Sequence, residues 1–172
     1  MTIFRKATKK DIQVLSRKLL MLLEDKNSQI FRENVARFGI PEEYARTAFA
    51  EETLLRAAAE GEATFYLALE NDEIIGFAQT VQKDANTSEL DRIIVFPRYT
   101  RRGIGTQLLK QAIADQEQKG INNIIVNTGK EEIQARGFYE KNGFKQIKEA
   151  MVEAPWGKKL ILVTYQLRLA RG

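Results

Sequence analysis

The chain has 172 residues, 44% hydrophobic and 29% charged, with a formal net charge of +4. That is the composition of one globular domain with a real core, neither a disordered segment nor two ordinary domains. It contains no Cys and no His, which excludes a disulfide framework, thiolate nucleophiles, Ser-His-Asp and Cys-His catalysis, and imidazole or thiolate metal sites. A general base must then be a carboxylate, a Lys, a Tyr or a relayed water. No Asp-rich loop offers an all-carboxylate metal site, and no metal is expected. No apolar run approaches the ~20 residues of a membrane span. No small-residue cleavage site follows the basic start at Arg5, Lys6, Lys9 and Lys10, so no signal peptide is read and a cytoplasmic location is expected.

Thr2 to Lys6 reads as a short strand. Thr8-Lys9-Lys10-Asp11 fits a capping box, and Ile12, Leu15, Leu19, Leu22 and Leu23 form a helical stripe to about Glu24. The next segment is helical but broken: Gly39 stops one helix, Pro41 fits the first turn of another, and that helix continues through Leu54 and Leu55 to Gly61. Thr64 to Leu69 and Glu73 to Val81 are strands joined by Asn71-Asp72, a hairpin signal. A polar loop leads to a strand from Glu89 to Val95, which Pro97 ends. A helix follows from Gly103 to Gly120, then a buried-type strand from Ile121 to Val126. Thr128-Gly129-Lys130-Glu131 matches a second capping box, opening a helix that stops at Gly143. Phe144 to Val152 and Lys159 to Leu169 make a closing hairpin around Pro155-Trp156-Gly157. This order predicts an α/β (α+β) domain over residues 1–172, with a mixed, mostly antiparallel sheet and a parallel piece in the strand-helix-strand unit from Glu89 to Val126.

Charge is unevenly spread. Arg92 to Lys110 holds five cations and no acid, whereas Asn27 to Ala63 holds seven acids and four Arg. The first stretch suits an anionic ligand and the second does not. The basic stretch also contains a buried strand, a proline, a basic loop and then Gly103 and Gly105 opening a helix. A helix start carries unpaired N–H groups and partial positive charge, and glycine lets a phosphate approach that backbone. The physical reading is a pyrophosphate cradle. A P-loop is excluded because no Gly-Lys-Ser/Thr follows. A dinucleotide fold fits poorly, with Leu108 where its third glycine belongs. Further on, Phe138, Tyr139 and Phe144 taken alone are core aromatics closing a helix on a strand.

Together the two stretches resemble the GNAT acetyltransferase superfamily. Its first signature is a strand, a proline and a loop Gln/Arg-x-x-Gly-x-Gly/Ala, which Thr100 to Gly105 matches except at Thr100. The end of its second signature matches Phe138-Tyr-Glu-Lys-Asn-Gly-Phe144, while its Asn has no clear counterpart and Gln134 lies nearest. The resemblance implies a GNAT-like sheet of about seven strands with helices on both faces. It also implies acetyl-CoA as co-substrate and transfer of the acetyl group to a primary amine in a ternary complex. It places the coenzyme pyrophosphate on the backbone of Arg101, Arg102, Gly103, Ile104, Gly105 and Thr106, and the pantetheine arm along Ile93, Ile94 and Val95. Gln134 joins the coenzyme contacts, and Arg98, Arg101 or Arg102 reaches the 3′-phosphate. Tyr139 occupies the general-acid position. For the base, Glu89 comes first and Asp91 second, two residues apart on one strand; an ion pair with a neighbouring Arg is the competing role for either. The oxyanion needs a donor, expected from a backbone N–H near Val95.

The Ala48-Phe49 to Leu69 region and the Glu-Leu-Asp-Arg-Ile-Ile-Val strand resemble the bacterial spermine/spermidine acetyltransferases. They imply a small polyamine acceptor, with the acidic Asn27 to Ala63 segment walling its site; the competing role for Glu33, Glu42, Glu43, Glu51 and Glu52 is as the solvated faces of amphipathic helices. A protein N-terminus or lysine is the alternative acceptor, and a non-catalytic acyl-CoA-binding module the alternative function. No membrane partner is expected. A nucleic-acid partner is not expected either, for want of aromatics interleaved with cations on a strand face. A homodimer stays open.

Overall fold

The computed structural model describes residues 1–169. Strands β1 (Thr2–Lys6), β2 (Ala63–Glu70), β3 (Glu73–Gln82), β4 (Thr87–Val95), β5 (Asn123–Gly129), β6 (Lys145–Glu153) and β7 (Lys159–Arg168) form one seven-stranded sheet. Its order is β1-β2-β3-β4-β5-β7-β6, antiparallel everywhere except between β4 and β5. The expected mixed sheet is present. Helices α1 (Lys9–Glu24), α2 (Gln29–Asn34), α3 (Glu42–Phe49) and α4 (Glu51–Ala59) precede β2, while α5 (Ile104–Gln118) and α6 (Ile133–Lys141) follow β4 and β5.

The alternation of β2 and β3 sorts their side chains into two cores. Phe65, Leu67, Leu69 and Phe77 pack with Leu15, Leu19, Phe49 and Leu54 of α1, α3 and α4. Tyr66, Ala68, Ile75 and Ala78 pack with Leu108, Leu109 and Ala112 of α5 and with Tyr139 of α6. Both faces are therefore covered by helices, as an α/β sheet buried on two sides requires. The hairpin turn between β2 and β3 has Asn71 and Asp72 both at positive φ, matching its sequence signal. A buried polar cluster pins α5 to three strands: Tyr66 donates to Asp115 at 2.6 Å, Gln116 to Tyr66 at 2.9 Å and to Thr80 at 3.1 Å, and Ser88 to Gln116 at 2.6 Å. That cluster holds the C-terminal end of α5 on the sheet.

Two boundaries differ from the sequence reading. The helix read as running on past Leu54 is broken at Ala50, whose extended conformation starts α4, and Pro41 lies just before α3 rather than in its first turn. The buried Ser16 hydroxyl donates to the Phe49 carbonyl at 2.7 Å, satisfying one of the acceptors that α3 leaves free at its end. Glu51 and Glu52 sit favourably at the new N-terminus. The second capping box is not formed. Thr128 and Gly129 belong to β5, paired with Val163 and Leu162, and Glu132 rather than Glu131 accepts from the Thr128 hydroxyl and the Gly129 N–H. Sheet pairing with β7 outweighs the local cap, and α6 starts at Ile133.

The first capping box is formed. Thr8 Oγ1 accepts from the Asp11 N–H at 3.3 Å, and the Asp11 carboxylate accepts from the Thr8 N–H at 2.7 Å. The Arg5 guanidinium, helped by the Thr8 N–H and hydroxyl, holds the Asp11 carboxyl down at about 2. A carboxyl depressed on folding stabilises the protein above its unfolded value near ~4, and that stabilisation is lost as pH falls through its folded value. Asp11→Ala should therefore lower Tm by a few degrees at pH 6, as expected for a loss of about 1 kcal/mol. Parallel thermal melts should show the gap closing as the pH is brought down towards about 2.

Candidate active site

β4 pairs with β5 at only three positions, Thr87↔Asn123, Ser88↔Ile124 and Glu89↔Ile125. Beyond them β4 stays with β3 to Val95, while β5 stays with β7 to Gly129. Two neighbouring strands thus part inside one sheet. The β5-facing side of β4 from Arg92 to Val95 is left as an internal edge, with backbone groups that need a partner. A bulge accompanies the parting: Leu90 pairs with Thr80 and Arg92 with Gln79, so Asp91 has no opposite number on β3.

A cavity of about 670 Å³ fills the wedge, within the ~300–1,000 Å³ range of small-molecule sites. Asp91, Arg92, Ile93, Ile94 and Val95 line one wall, with Val126, Asn127 and Thr128 on the opposing strand. Gly105 from α5 and Gln134, Phe138 and Tyr139 from α6 form a third wall. Gln29, Ile30, Glu33 and Asn34 from α2, followed by Arg37 and Phe38, close the remaining side. The turn between β6 and β7 braces that last segment: the Trp156 indole N–H donates to the Phe38 carbonyl at 3.0 Å, and Lys158 to the Arg37 carbonyl at 3.3 Å.

At the mouth, Arg101 at φ +63° and Gly103 at φ +76° turn the loop into α5. The first helical bond here runs from the Gln107 N–H to the Gly103 carbonyl, and Gly103 provides no side-chain cap. The backbone N–H groups of Arg101 through Thr106 donate to no other group among the described residues. Six consecutive free donors at the positive end of a helix form an anion site. A Cβ on Gly105 would sit 3.7 Å from both Val95 and Phe138, which is ordinary contact. A larger side chain there would fill the passage between β4 and α6.

The residues singled out in the sequence divide into three groups. Asp91, Ile93, Ile94, Val95, Gly105, Gln134 and Tyr139 meet around the cavity. Arg98, Arg101, Arg102, Gly103 and Thr106 belong to the loop and the first turn at its mouth; Arg102 is ion-paired with Glu70, and the Ile104 side chain is buried in the core. Glu89 stands apart from the cavity wall, held by Lys83 at 3.3 Å and by the Asn127 amide at 3.5 Å. Tyr139 is packed among Phe138, Phe144 and Tyr165, and its hydroxyl makes no hydrogen bond among the described residues. Burial, with a smaller contribution from Glu132, raises its pKa, so the phenol keeps its proton at neutral pH. The sequence reading missed Arg92 as a site residue, though it sits inside the quoted motif, and also Asn127 and the α2 wall, which carry no local signal. Among the described residues no group of three or more carboxylates converges as a metal site, and no helix is long and apolar enough to cross a membrane.

A splayed strand pair, a helix start with free N–H groups and a buried tyrosine meet at one cavity. The chain belongs to the Acetyltransferase (GNAT) family, whose pattern matches residues 27–144, and is an acetyl-CoA-dependent N-acetyltransferase. It is 30% identical over 116 residues to a spermidine N(1)-acetyltransferase of Thermoplasma acidophilum, covering 67% of this chain and 71% of that one. Among solved structures, a GNAT-family acetyltransferase from Desulfovibrio desulfuricans superposes with a TM-score of 0.73 at 22% identity, covering 99% of this chain and all of that one. The PaiA N-acetyltransferase of Thermoplasma acidophilum in complex with coenzyme A superposes with a TM-score of 0.67 at 23% identity, covering 98% and 99%.

A phosphate cradle at the α5 start makes a direct prediction for coenzyme binding. Gly103→Val forces a branched residue into φ +76°, and Gly105→Val obstructs the gap beside Val95 and Phe138. Each should weaken acetyl-CoA binding by calorimetry by roughly tenfold or more, a loss of about 1.4 kcal/mol. Each should also abolish most of the rise in Tm that the coenzyme confers on the unsubstituted protein.

Proposed function

We propose that the chain acetylates small cationic amines of the polyamine class by direct attack on acetyl-CoA in a ternary complex, in a cytoplasmic setting. The observation that carries this reading is the charge of the cavity wall: Glu33, Asp91, Glu131 and Glu132 against Arg37 and Arg92. Arg37 is already paired with Glu132 at 3.5 Å. An enclosed acidic wall concentrates polycations and favours ligands with several amines. The name of the Thermoplasma relative, a spermidine N(1)-acetyltransferase, supports the same acceptor class. Of the acids in the Asn27 to Ala63 segment, Glu33 is the one on the wall. Glu42 and Glu52 are spent on exposed pairs with Arg46 and Arg56.

In this reading the free N–H groups of Arg101 to Thr106 hold the coenzyme pyrophosphate, with Arg98 or Arg101 near the 3′-phosphate. The pantetheine amides complete the open edge of Ile93 to Val95 as an added strand would, and Gln134 approaches the arm from α6. The acceptor nitrogen attacks the thioester carbon, and the carbonyl π pair moves onto oxygen. Asp91, half-exposed on the bulge and, among the described residues, paired only with Arg92 at 3.6 Å, takes the amine proton. Glu89, already engaged by Lys83 and Asn127, orients the bulge instead. As the oxyanion collapses the C–S bond breaks, and Tyr139 gives its proton to the departing sulfur.

The acceptor assignment predicts that kcat/KM is higher for spermidine and spermine than for an N-terminal peptide, and falls roughly tenfold or more between low and high salt. A peptide preference, or polyamine turnover indifferent to salt, would overturn the acceptor class. The role assignment predicts that Tyr139→Phe and Asp91→Asn each lower kcat by roughly 10²-fold, the scale of general acid–base catalysis, with acetyl-CoA affinity kept. Glu89→Gln should cost markedly less. Steady-state rates by free-thiol release decide it, and equal losses at Glu89 and Asp91 would mean that the base function is shared.

A further inference from the structure

Where β4 and β5 part, two polar side chains face each other across the opening. Glu89↔Ile125 is the last paired step of these parallel strands, and Asp91 and Asn127 each lie two residues beyond it. Both line the cavity and both are exposed. Asn127 also bridges the opening: its Nδ2 donates to the Glu89 carboxylate at 3.5 Å, and its Oδ1 accepts from the Thr164 hydroxyl on β7 at 2.6 Å. A carboxylate only accepts, so the bond to Glu89 sets which end of the amide faces which strand. A carboxamide has two N–H bonds and two oxygen lone pairs, and one of each stays unused among the described residues. Donating to a carboxylate polarises the amide and makes Oδ1 a better acceptor.

The open edge directs the coenzyme to this pair. In the binding mode above the pyrophosphate sits at the α5 start, where a Cβ on Gly105 would touch Val95 at 3.7 Å. From Val95 back to Asp91 the strand covers about 13 Å at ~3.3 Å per residue, and beyond Asp91 the strands close. An extended arm then brings its thioester to the narrow end of the wedge, between Asp91 and Asn127. The nitrogen that attacks is neutral. It has a lone pair for the thioester carbon and, in a primary amine, two N–H bonds. Resting on Asp91 as the base, we infer that Asn127 selects primary amines: its Oδ1 accepts a hydrogen bond from the second N–H and turns the lone pair towards the carbon. As the C–N bond forms, one proton passes to Asp91. The C–S bond breaks with Tyr139 protonating the sulfur, and the second hydrogen stays on nitrogen as the N–H of the product amide. A secondary amine has one N–H only. Giving it to Asp91 leaves an alkyl group against Oδ1, and a desolvated acceptor without a donor is costly. A carboxamide suits this place better than another carboxylate, because it holds the hydrogen without competing for the proton.

The experiment uses the whole chain with Asn127→Leu and Thr164→Val. Rates by free-thiol release are read for butylamine and N-methylbutylamine or, for a peptide acceptor, for one peptide with a free and an N-methylated terminus. Acetyl-CoA affinity is read by calorimetry. The unsubstituted protein should prefer the primary amine. Asn127→Leu should lower kcat/KM for the primary amine by roughly tenfold or more, the scale of one lost hydrogen bond in a desolvated site, and change it for the secondary amine by less than about threefold. Thr164→Val, which frees the amide to turn, should cost less in the same direction. Acetyl-CoA affinity should be kept in both variants. An equal fall for both amines, or a loss of coenzyme affinity, would overturn the inference in favour of Asn127 serving only as a bridge between β4 and β7. An unchanged preference in Asn127→Leu would overturn it as well. If Asp91→Asn is inert while Asn127→Leu erases the preference, the base assignment fails and the selection by Asn127 stands. If spermidine is not turned over but the preference falls as expected on the other acceptors, the polyamine reading alone fails.

Discussion

Everything in this molecule is arranged around two neighbouring strands that pair for three residues and then separate. A sheet that opens internally leaves backbone donors and acceptors facing a gap, and burying them unpaired is costly. The fold contains the gap from all sides. α5 and α6 cover one face, α1 to α4 the other, and the β6–β7 turn braces the segment that closes the remaining wall. The Tyr66–Asp115–Gln116–Thr80–Ser88 cluster keeps α5 registered against β2, β3 and β4. The free N–H groups at the helix start lie at the mouth of the same opening. In the proposed binding mode an extended ligand carrying amides and a pyrophosphate would satisfy both sets of groups at once, completing the sheet as well as occupying the site.

The elements legible in the sequence were those set by local physics. The period of the α1 stripe, the Thr8–Asp11 capping box and the Asn71-Asp72 turn appear in the structure because each is determined within a few residues. The Thr128–Glu131 match failed because its residues are claimed by strand pairing with β7, more than thirty positions away. Ala50 breaks a helix that periodicity reads as continuous: Phe49 and Leu54 both enter the same core, whereas on one straight helix residues five apart would point about 140° from each other. Local patterns report what a segment can do alone, and tertiary pairing decides between near-equal options.

The site was legible to a different degree. The glycines of the phosphate loop lie within one short stretch whose spacing carries the geometry. The carboxylates were ambiguous, because alternation along a strand counts residues evenly and a bulge does not. The unpaired step at Asp91 leaves that residue on the cavity wall, while Glu89 remains in the paired part of β4 with Lys83 and Asn127 around it. The acidic wall was misjudged for a related reason. Net charge over a segment does not separate Glu33, which lines the cavity, from Glu42 and Glu52, which lie on exposed helix faces.

The bulge sets the surroundings of Asp91, the residue proposed as the base. An antiparallel strand in strict alternation sends consecutive side chains to opposite faces. Asp91 has no opposite number on β3, so the alternation is interrupted at that step, and Asp91 and Arg92 line the cavity together with Ile93, Ile94 and Val95 of the open edge. Asp91, 3.6 Å from the Arg92 guanidinium, offsets part of the cost of desolvating Arg92. Removing the unpaired step would let β3 and β4 pair more completely while moving Asp91 out of its place on the cavity wall.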